Sequence, residues 1–254
     1  NGTIMKIRVK NYKRFYITVA FFAAIAALII WGIFSLVFHV FKPAAAVRSI
    51  EIVQPVQTED TSTLSHEEDD LLMLVNKQNA IPDGYVPADL VTVPLDSLRE
   101  IKLCLEASNA LEELFAGAAA QGYQLICCSG YRDYDTQVEV HNTEINTYGE
   151  AAADLVSAPA GYSEHETGLA VDITSASVNY DLVEDFGNTP EGQWVADHAA
   201  DYGFIIRYPN GRESVTGYTY EPWHLRYVGK DVAKEIMSQD TTLEEYLESK
   251  ASNS

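Results

Sequence analysis

The run Leu169-Ala170-Val171-Asp172-Ile173 sets one carboxylate in the middle of an otherwise apolar, β-like pattern. Alternation places Ala170 and Asp172 on one face of such a strand and Leu169, Val171 and Ile173 on the other. A strand this apolar belongs in a protein interior, where an unpaired carboxylate is costly. Whatever fold the chain adopts must therefore bring a partner to position 172.

The region available for that fold is bounded by a second feature. From Tyr16 to Phe41 there is no Lys, Arg, Asp or Glu, and the run is mostly apolar. At 1.5 Å per residue, roughly 20 such residues cross a bilayer core. The chain holds 17 Lys+Arg, 37 Asp+Glu and a net charge of −20, but these are not evenly spread. Residues 1–42 carry six basic side chains and no acid, which leaves 11 basic and 37 acidic ones in residues 43–254. The basic flank predicts a cytoplasmic N-terminus at 1–15, a transmembrane anchor at 16–41 and an acidic body outside the cell membrane. A cleaved signal peptide is the competing expectation, with Ala44 and Ala46 as small residues at a cleavage site, but its apolar region is usually about 7–15 residues. Residues 42–70 are acidic, hold two prolines and show no period, and are expected to form a flexible stalk. The negative body excludes nucleic acid as a natural partner.

Residues 71–254 carry the folded domain. An extended apolar piece begins at Leu71, followed by a turn at Pro82-Asp83-Gly84. The pattern predicts helices over 96–120 (capped by Asp96 or Ser97), 134–148, 191–202 and from Asp231 to the tail. Strands are expected at 123–129, 169–173, 204–208 and 224–229, with a turn at 209–212. Helices and strands mix without regular βαβ alternation, so the class is α+β. His141 and His198 fall on helices and read as structural, Trp194, Tyr202, Phe204 and Tyr208 as packing aromatics, and Glu112-Glu113 and Glu244-Glu245 as solvated helix faces. Cys104 could bridge to Cys127 or Cys128, or all three could be small buried hydrophobes.

Three strings concentrate unusual residues: SGYRDYDTQ (129–137), GYSEHETGLAVDI (161–173) and TGYTYEPWHLRYVG (216–229). A hydrolytic zinc site needs about three protein ligands and one open position. His165, Asp172 and His224 supply two imidazoles and a carboxylate. Gly168 allows a bend between the first two. Pro222 interrupts regular strand pairing, and His224 and Arg226 then share a face while Trp223, Leu225 and Tyr227 pack on the other. Glu221, three residues before a ligand, is placed to act on water as a base.

All three strings resemble the VanY-type D-alanyl-D-alanine carboxypeptidases, zinc peptidases whose fold is shared with lysostaphin-like enzymes and the hedgehog domain. The likeness runs from LLMLVNK at 71 through 229. Ser163, His165, Gly168, Ala170 and Asp172 match one family pattern, and Glu221, Trp223 and His224 match another. The resemblance implies a small antiparallel sheet flanked by helices and one Zn2+ ion held by His165, Asp172 and His224. It implies Glu221 as catalytic base, Arg132 as a contact to the substrate carbonyl or terminal carboxylate, and Gln137, Ser163 and Trp223 as substrate-binding positions. The implied activity is removal of a C-terminal D-alanine from peptidoglycan stem peptides, with D,D- or L,D-specificity. A non-catalytic zinc-stabilised binding module of the same fold is the alternative, and an endopeptidase is a third. A base at Glu221 and a donor at Arg132 favour the enzyme.

Overall fold

The computed structural model describes residues 71–252. The expected tail, anchor and stalk lie outside the described residues, and among those described no helix is long and apolar enough to cross a membrane.

A four-stranded antiparallel sheet organises the domain. Its strands are β3 (Ile126–Ser129), β4 (Ala170–Thr174), β5 (Phe204–Tyr208) and β6 (Glu221–Tyr227), in the order β3-β4-β6-β5. A separate two-stranded ribbon pairs β1 (Leu90–Thr92) with β2 (Lys102–Cys104). The α+β class and the small antiparallel sheet are as expected.

One face of the sheet packs on α1 (Leu105–Ala120). Ala107, Ala110, Leu111, Leu114, Phe115 and Ala118 recur at helical spacing along its buried side. They meet Val171 and Ile173 of β4 and Leu225 and Tyr227 of β6 in the main core. Strand parity turns the alternate residues, Asp172, His224 and Arg226, to the opposite face. At the β5 edge that opposite face is covered by α4 (Lys230–Gln239) and α5 (Leu243–Ser252), which bury Ile205, Val232, Ile236, Leu243 and Tyr246 together. At the β4–β6 end it is left for the site. Two further helices are α2 (Tyr134–Tyr148), of which only Gln137 is buried, and α3 (Pro190–His198), which packs against α1 and β6.

Three expectations need correction. The helix predicted from Asp96 begins only at Leu105. Residues 96–98 are taken instead by β3, with Cys127 N–H donating to the Asp96 carbonyl (3.0 Å) and Leu98 N–H to Cys127 (2.9 Å). The helix start is capped from outside, because Asp89 accepts from the Leu105 N–H at 3.0 Å. At the C-terminus one helix becomes two. Asp240 takes a positive φ of 50°. Thr242 and Glu245 then restart the chain with a reciprocal capping box, Thr242 N–H to Glu245 Oε2 at 2.8 Å and Glu245 N–H to Thr242 Oγ1 at 3.2 Å. Glu244 is not solvated: it is buried and holds Arg207 with both oxygens, at 2.9 and 2.6 Å.

All three cysteines are free and buried. Cys104 donates to the Thr167 carbonyl. Burial pushes the Cys127 thiol up to about 12, with Cys128 and Asp96 adding to it, and the Cys128 thiol up to about 11. Thiol titration should therefore find little reactivity in the native domain and all three groups after denaturation without reductant.

Candidate metal centre and active site

Each site residue is placed by a local feature of its sequence. Gly168 sits at φ +70° and ends the 3-10 turn Glu164–Thr167, turning the chain into β4. A Cβ there would meet Cys104 Sγ at 2.9 Å and Leu90 Cδ2 at 3.0 Å, so the position needs glycine for conformation and for space. Gly168→Ala is expected to cost roughly 1–3 kcal/mol, read from denaturant midpoints. β4 then carries Asp172 opposite His224 of β6 in register. Pro222 lies in β6 where the pairing with β5 slips between Ile206 and Tyr208, the interruption expected of a strand proline. The slip sets Glu221 opposite Tyr208 at the mouth of the site.

His165, Asp172 and His224 come together as three buried donors whose ligand atoms all lie within 4.8 Å of one another. His165 Nε2 stands 3.2 Å from Asp172 Oδ2, and His224 Nδ1 stands 3.1 Å from Asp172 Oδ1. Donors about 2.0–2.2 Å from a tetrahedral zinc stand roughly 3.3–3.5 Å apart, close to both separations. The ring orientations also suit a cation. His165 Nδ1 is 2.8 Å from the Gly130 carbonyl, which fixes the proton there and leaves Nε2 as an acceptor. Asp172 Oδ1 is buried without a hydrogen-bond partner among the described residues.

Electrostatics point the same way. Burial, aided by Arg132, pushes the His165 imidazole down to about 4 despite the Asp172 carboxylate, so it is neutral and free to ligate. His224 moves oppositely: burial disfavours its charge, yet the neighbouring carboxylates of Asp172, Glu164 and Glu221 lift it to about 9. Asp172 is held well below the usual carboxylate range, the two histidines outweighing burial. The site thus demands positive charge between its carboxylates. Its residues fit a zinc ion: a two-histidine, one-carboxylate set in which the far nitrogen of His165 is held by the Gly130 carbonyl.

Glu221 is buried, and its Oε2 lies 3.8 Å from His224 Nδ1. Burial pushes its carboxyl up to about 8; His224 and Arg132 pull it down and Asp172 raises it. A carboxylate beside the ligands but outside the ligand set can exchange a proton with water there.

Arg132 enters from the loop after β3. Its Nε donates to Gln137 Oε1 and its Nη1 to Ser129 Oγ, both at 2.8 Å, and Nη1 is 3.8 Å from Asp172 Oδ2. Gln137 is fully buried, with its Nε2 donating to the Ala158 carbonyl at 2.6 Å, so its amide braces Arg132 from behind. Ser163 and Trp223 line the cleft itself. Asp133, adjacent to Arg132, caps α2 by accepting from the Thr136 N–H. His141 faces Asp154, and His198 stacks on Trp194, both away from the metal donors.

Sequence reasoning missed Glu164 and Tyr208. Glu164 stands among the acids of the string 161–173 with no local sign of a role, but it is 1% exposed and its Oε1 accepts from Arg207 Nε (2.7 Å) and Arg226 Nη1 (2.9 Å). Tyr208 read as generic packing, yet its ring lies 4.9 Å from that of His224 and lines the cleft. Arg207 lies within the predicted strand 204–208, and nothing local marked its partner.

The cleft encloses about 560 Å³ and runs from the donors along α2, past Val140, Glu144 and Tyr148. Those residues share one helix face and span about 12 Å, the length of three to four extended residues.

Residues 100–230 match the family described as VanY, D-alanyl-D-alanine carboxypeptidase. YodJ of Bacillus subtilis (strain 168), which carries a carboxypeptidase name, is 49% identical over 185 residues, covering 71% of this chain and 68% of that protein. The D-alanyl-D-alanine carboxypeptidase of Enterococcus faecalis is 37% identical over 186 residues, covering 69% of this chain and 65% of its own. The solved LdcB LD-carboxypeptidase superposes with a TM-score of 0.67 at 48% identity, over 71% of this chain and 87% of that one. A variant of the D,D-pentapeptidase VanY from a VanB-type resistance cassette, solved with Zn(II), gives 0.62 at 36% identity, over 70% and 99%. The buried donor triad and the carboxylate beside it thus lie within the matched residues 100–230, and the chain belongs to the VanY family of D-alanyl-D-alanine carboxypeptidases.

Proposed function

We propose that the chain is a zinc-dependent carboxypeptidase that removes a C-terminal D-alanine from peptidoglycan stem peptides. The observation that carries this reading is the buried set His165, Asp172 and His224 with the separate carboxylate of Glu221 facing the same space. A zinc ion bound there supplies Lewis acidity and lowers the pKa of water toward about 7. Glu221 takes the proton from the attacking water and returns it to the departing amine. Arg132, held by Ser129 and Gln137, presents its guanidinium to the oxyanion that develops on the scissile carbonyl. Ser163 and Trp223 line the end of the cleft and orient the terminal residue. The length of the cleft along α2 suits a peptide chain rather than a free amino acid.

The higher identity to the LD-carboxypeptidase structure, 48% against 36% for the D,D-pentapeptidase, favours a tetrapeptide end as the preferred substrate. Incubation of the zinc-loaded protein with muropeptides ending in one or in two D-alanines, followed by mass spectrometry, tests this. The expected result is loss of 71 Da per D-alanine residue, faster from the tetrapeptide and abolished by a chelator. No release from either peptide by protein that holds zinc would instead indicate a non-catalytic module.

Residues 16–41 would tether this activity as a single-pass anchor, with 1–15 cytoplasmic and 42–70 as a spacer to the wall. The uncharged apolar run and its basic flank support that arrangement. Membrane fractionation of chains with and without residues 16–41 checks it.

A further inference from the structure

Behind the metal donors lies a buried charge cluster of Glu164, Arg207, Arg226 and Glu244. Glu164 sits at its centre, in the 3-10 turn one residue before His165, with its side chain fully enclosed. Its two oxygens face different ways. Oε1 is saturated by two guanidinium donors, Arg207 Nε and Arg226 Nη1. Oε2 has no hydrogen-bond partner among the described residues, and His224 Nε2 lies 3.7 Å from it, itself buried and unpartnered. Two orphaned atoms of opposite character thus face each other across less than a side chain's freedom of movement, on the side of the ring away from Asp172.

Neither arginine can leave Glu164. Arg207 is locked by the bidentate contact with Glu244 of α5, which also accepts from Asn76 Nδ2 at 3.1 Å. Arg226 Nη2 donates to the carbonyls of Leu71 (2.8 Å) and Met73 (2.9 Å). The carboxylate is consequently pinned from two sides, by the first residues of the domain and by its last helix. A carboxylate held this firmly is an anchor for an imidazole N–H, and a histidine whose far nitrogen is so anchored presents the near one to a metal in a fixed direction.

We propose that Glu164 is a positioning residue of the metal centre: it accepts the Nε2–H of His224, fixes that ring as an Nδ1 ligand, and is itself held by Arg207 and Arg226. The inference deepens the zinc-peptidase reading and rests on it. Direct contact with substrate is not part of the role, so activity alone would not reveal it.

The test is made on the full chain loaded with zinc or cobalt. Glu164→Gln keeps the volume but removes the anionic acceptor. Its zinc dissociation constant, measured by competition with a chromophoric chelator, is expected to rise about 10–100-fold. Its cobalt visible spectrum should change in band position and intensity. Leu114→Ala, in the core of α1, is the stability control: it should unfold more easily while keeping the wild-type zinc affinity and cobalt spectrum. Should Glu164→Gln fail to fold, the wild-type protein answers the question through ¹⁵N-histidine NMR. The zinc-loaded protein should show His224 metallated at Nδ1, with a downfield Nε2 proton protected from exchange. Wild-type affinity and spectrum in Glu164→Gln, or a His224 proton on Nδ1 in the wild type, would overturn the inference. A wild-type chain that binds no zinc would instead overturn the metal reading beneath it.

Discussion

Glu221→Gln should retain one zinc per chain and lose about 10³-fold in kcat, with a small change in KM. The amide fills the volume of the carboxyl and sits outside the His165, Asp172, His224 donor set, so metal content is preserved. What is removed is the carboxylate 3.8 Å from His224 Nδ1, a group that can take a proton from water and pass it to the leaving nitrogen. Positioned general bases contribute typically about 10²–10⁴ in rate. Burial already lifts this carboxyl to about 8, which places its proton affinity near neutral pH. A dication among the donors favours the ionised form and moves that value down. The pH dependence of kcat/KM should therefore show an acid limb below 8, rising with pH as Glu221 ionises, and that limb should be absent from the residual activity of the glutamine variant. Atomic absorption and steady-state kinetics on the same preparation decide the matter; near-wild-type turnover would remove Glu221 from the mechanism.

Arg132→Lys should cost roughly 10²–10³-fold, and the loss should fall on kcat. The guanidinium is fixed at two nitrogens, by Gln137 and Ser129, with its Nη1 3.8 Å from the ligand Asp172. That places it beside the metal donors, where charge develops on the carbonyl oxygen, rather than out along the cleft. A lysine ammonium cannot span the same two acceptors, and it leaves the buried Gln137 Oε1 without its donor. The accompanying loss of stability should be about 1–3 kcal/mol. An effect confined to KM would instead assign Arg132 to ground-state recognition of the terminal carboxylate.

The centre of this site was legible because its signals are local. Asp172 in an apolar strand, Gly168 before it and Pro222 two residues ahead of His224 each carry a conformational reason within a few positions. Strand parity alone sorted His224 and Arg226 from Leu225 and Tyr227, and the sheet bears that out. The helix over 134–148 was legible in its bounds, while its cap, Asp133, is seen only in the structure.

The support behind the site was not legible, because its partners are remote in sequence. Glu164 meets Arg207 and Arg226 from 43 and 62 positions away, and Glu244 meets Arg207 from 37. Read locally, each glutamate is one more acid in a chain rich in them. The missed start of α1 has the same origin: Asp96 and Ser97 look like caps, but β3 competes for that backbone, and the working cap is Asp89. Local propensity loses where tertiary pairing offers the same backbone a second partner.

The central claim, one zinc ion held by His165, Asp172 and His224, is tested most directly by a crystal structure of the zinc-loaded protein with anomalous data collected on both sides of the zinc edge. The account predicts one anomalous peak about 2.0–2.2 Å from His165 Nε2, an Asp172 oxygen and His224 Nδ1, with Glu221 outside bonding distance. A zinc peak elsewhere, or none among these three side chains in a protein shown to contain the metal, would contradict it.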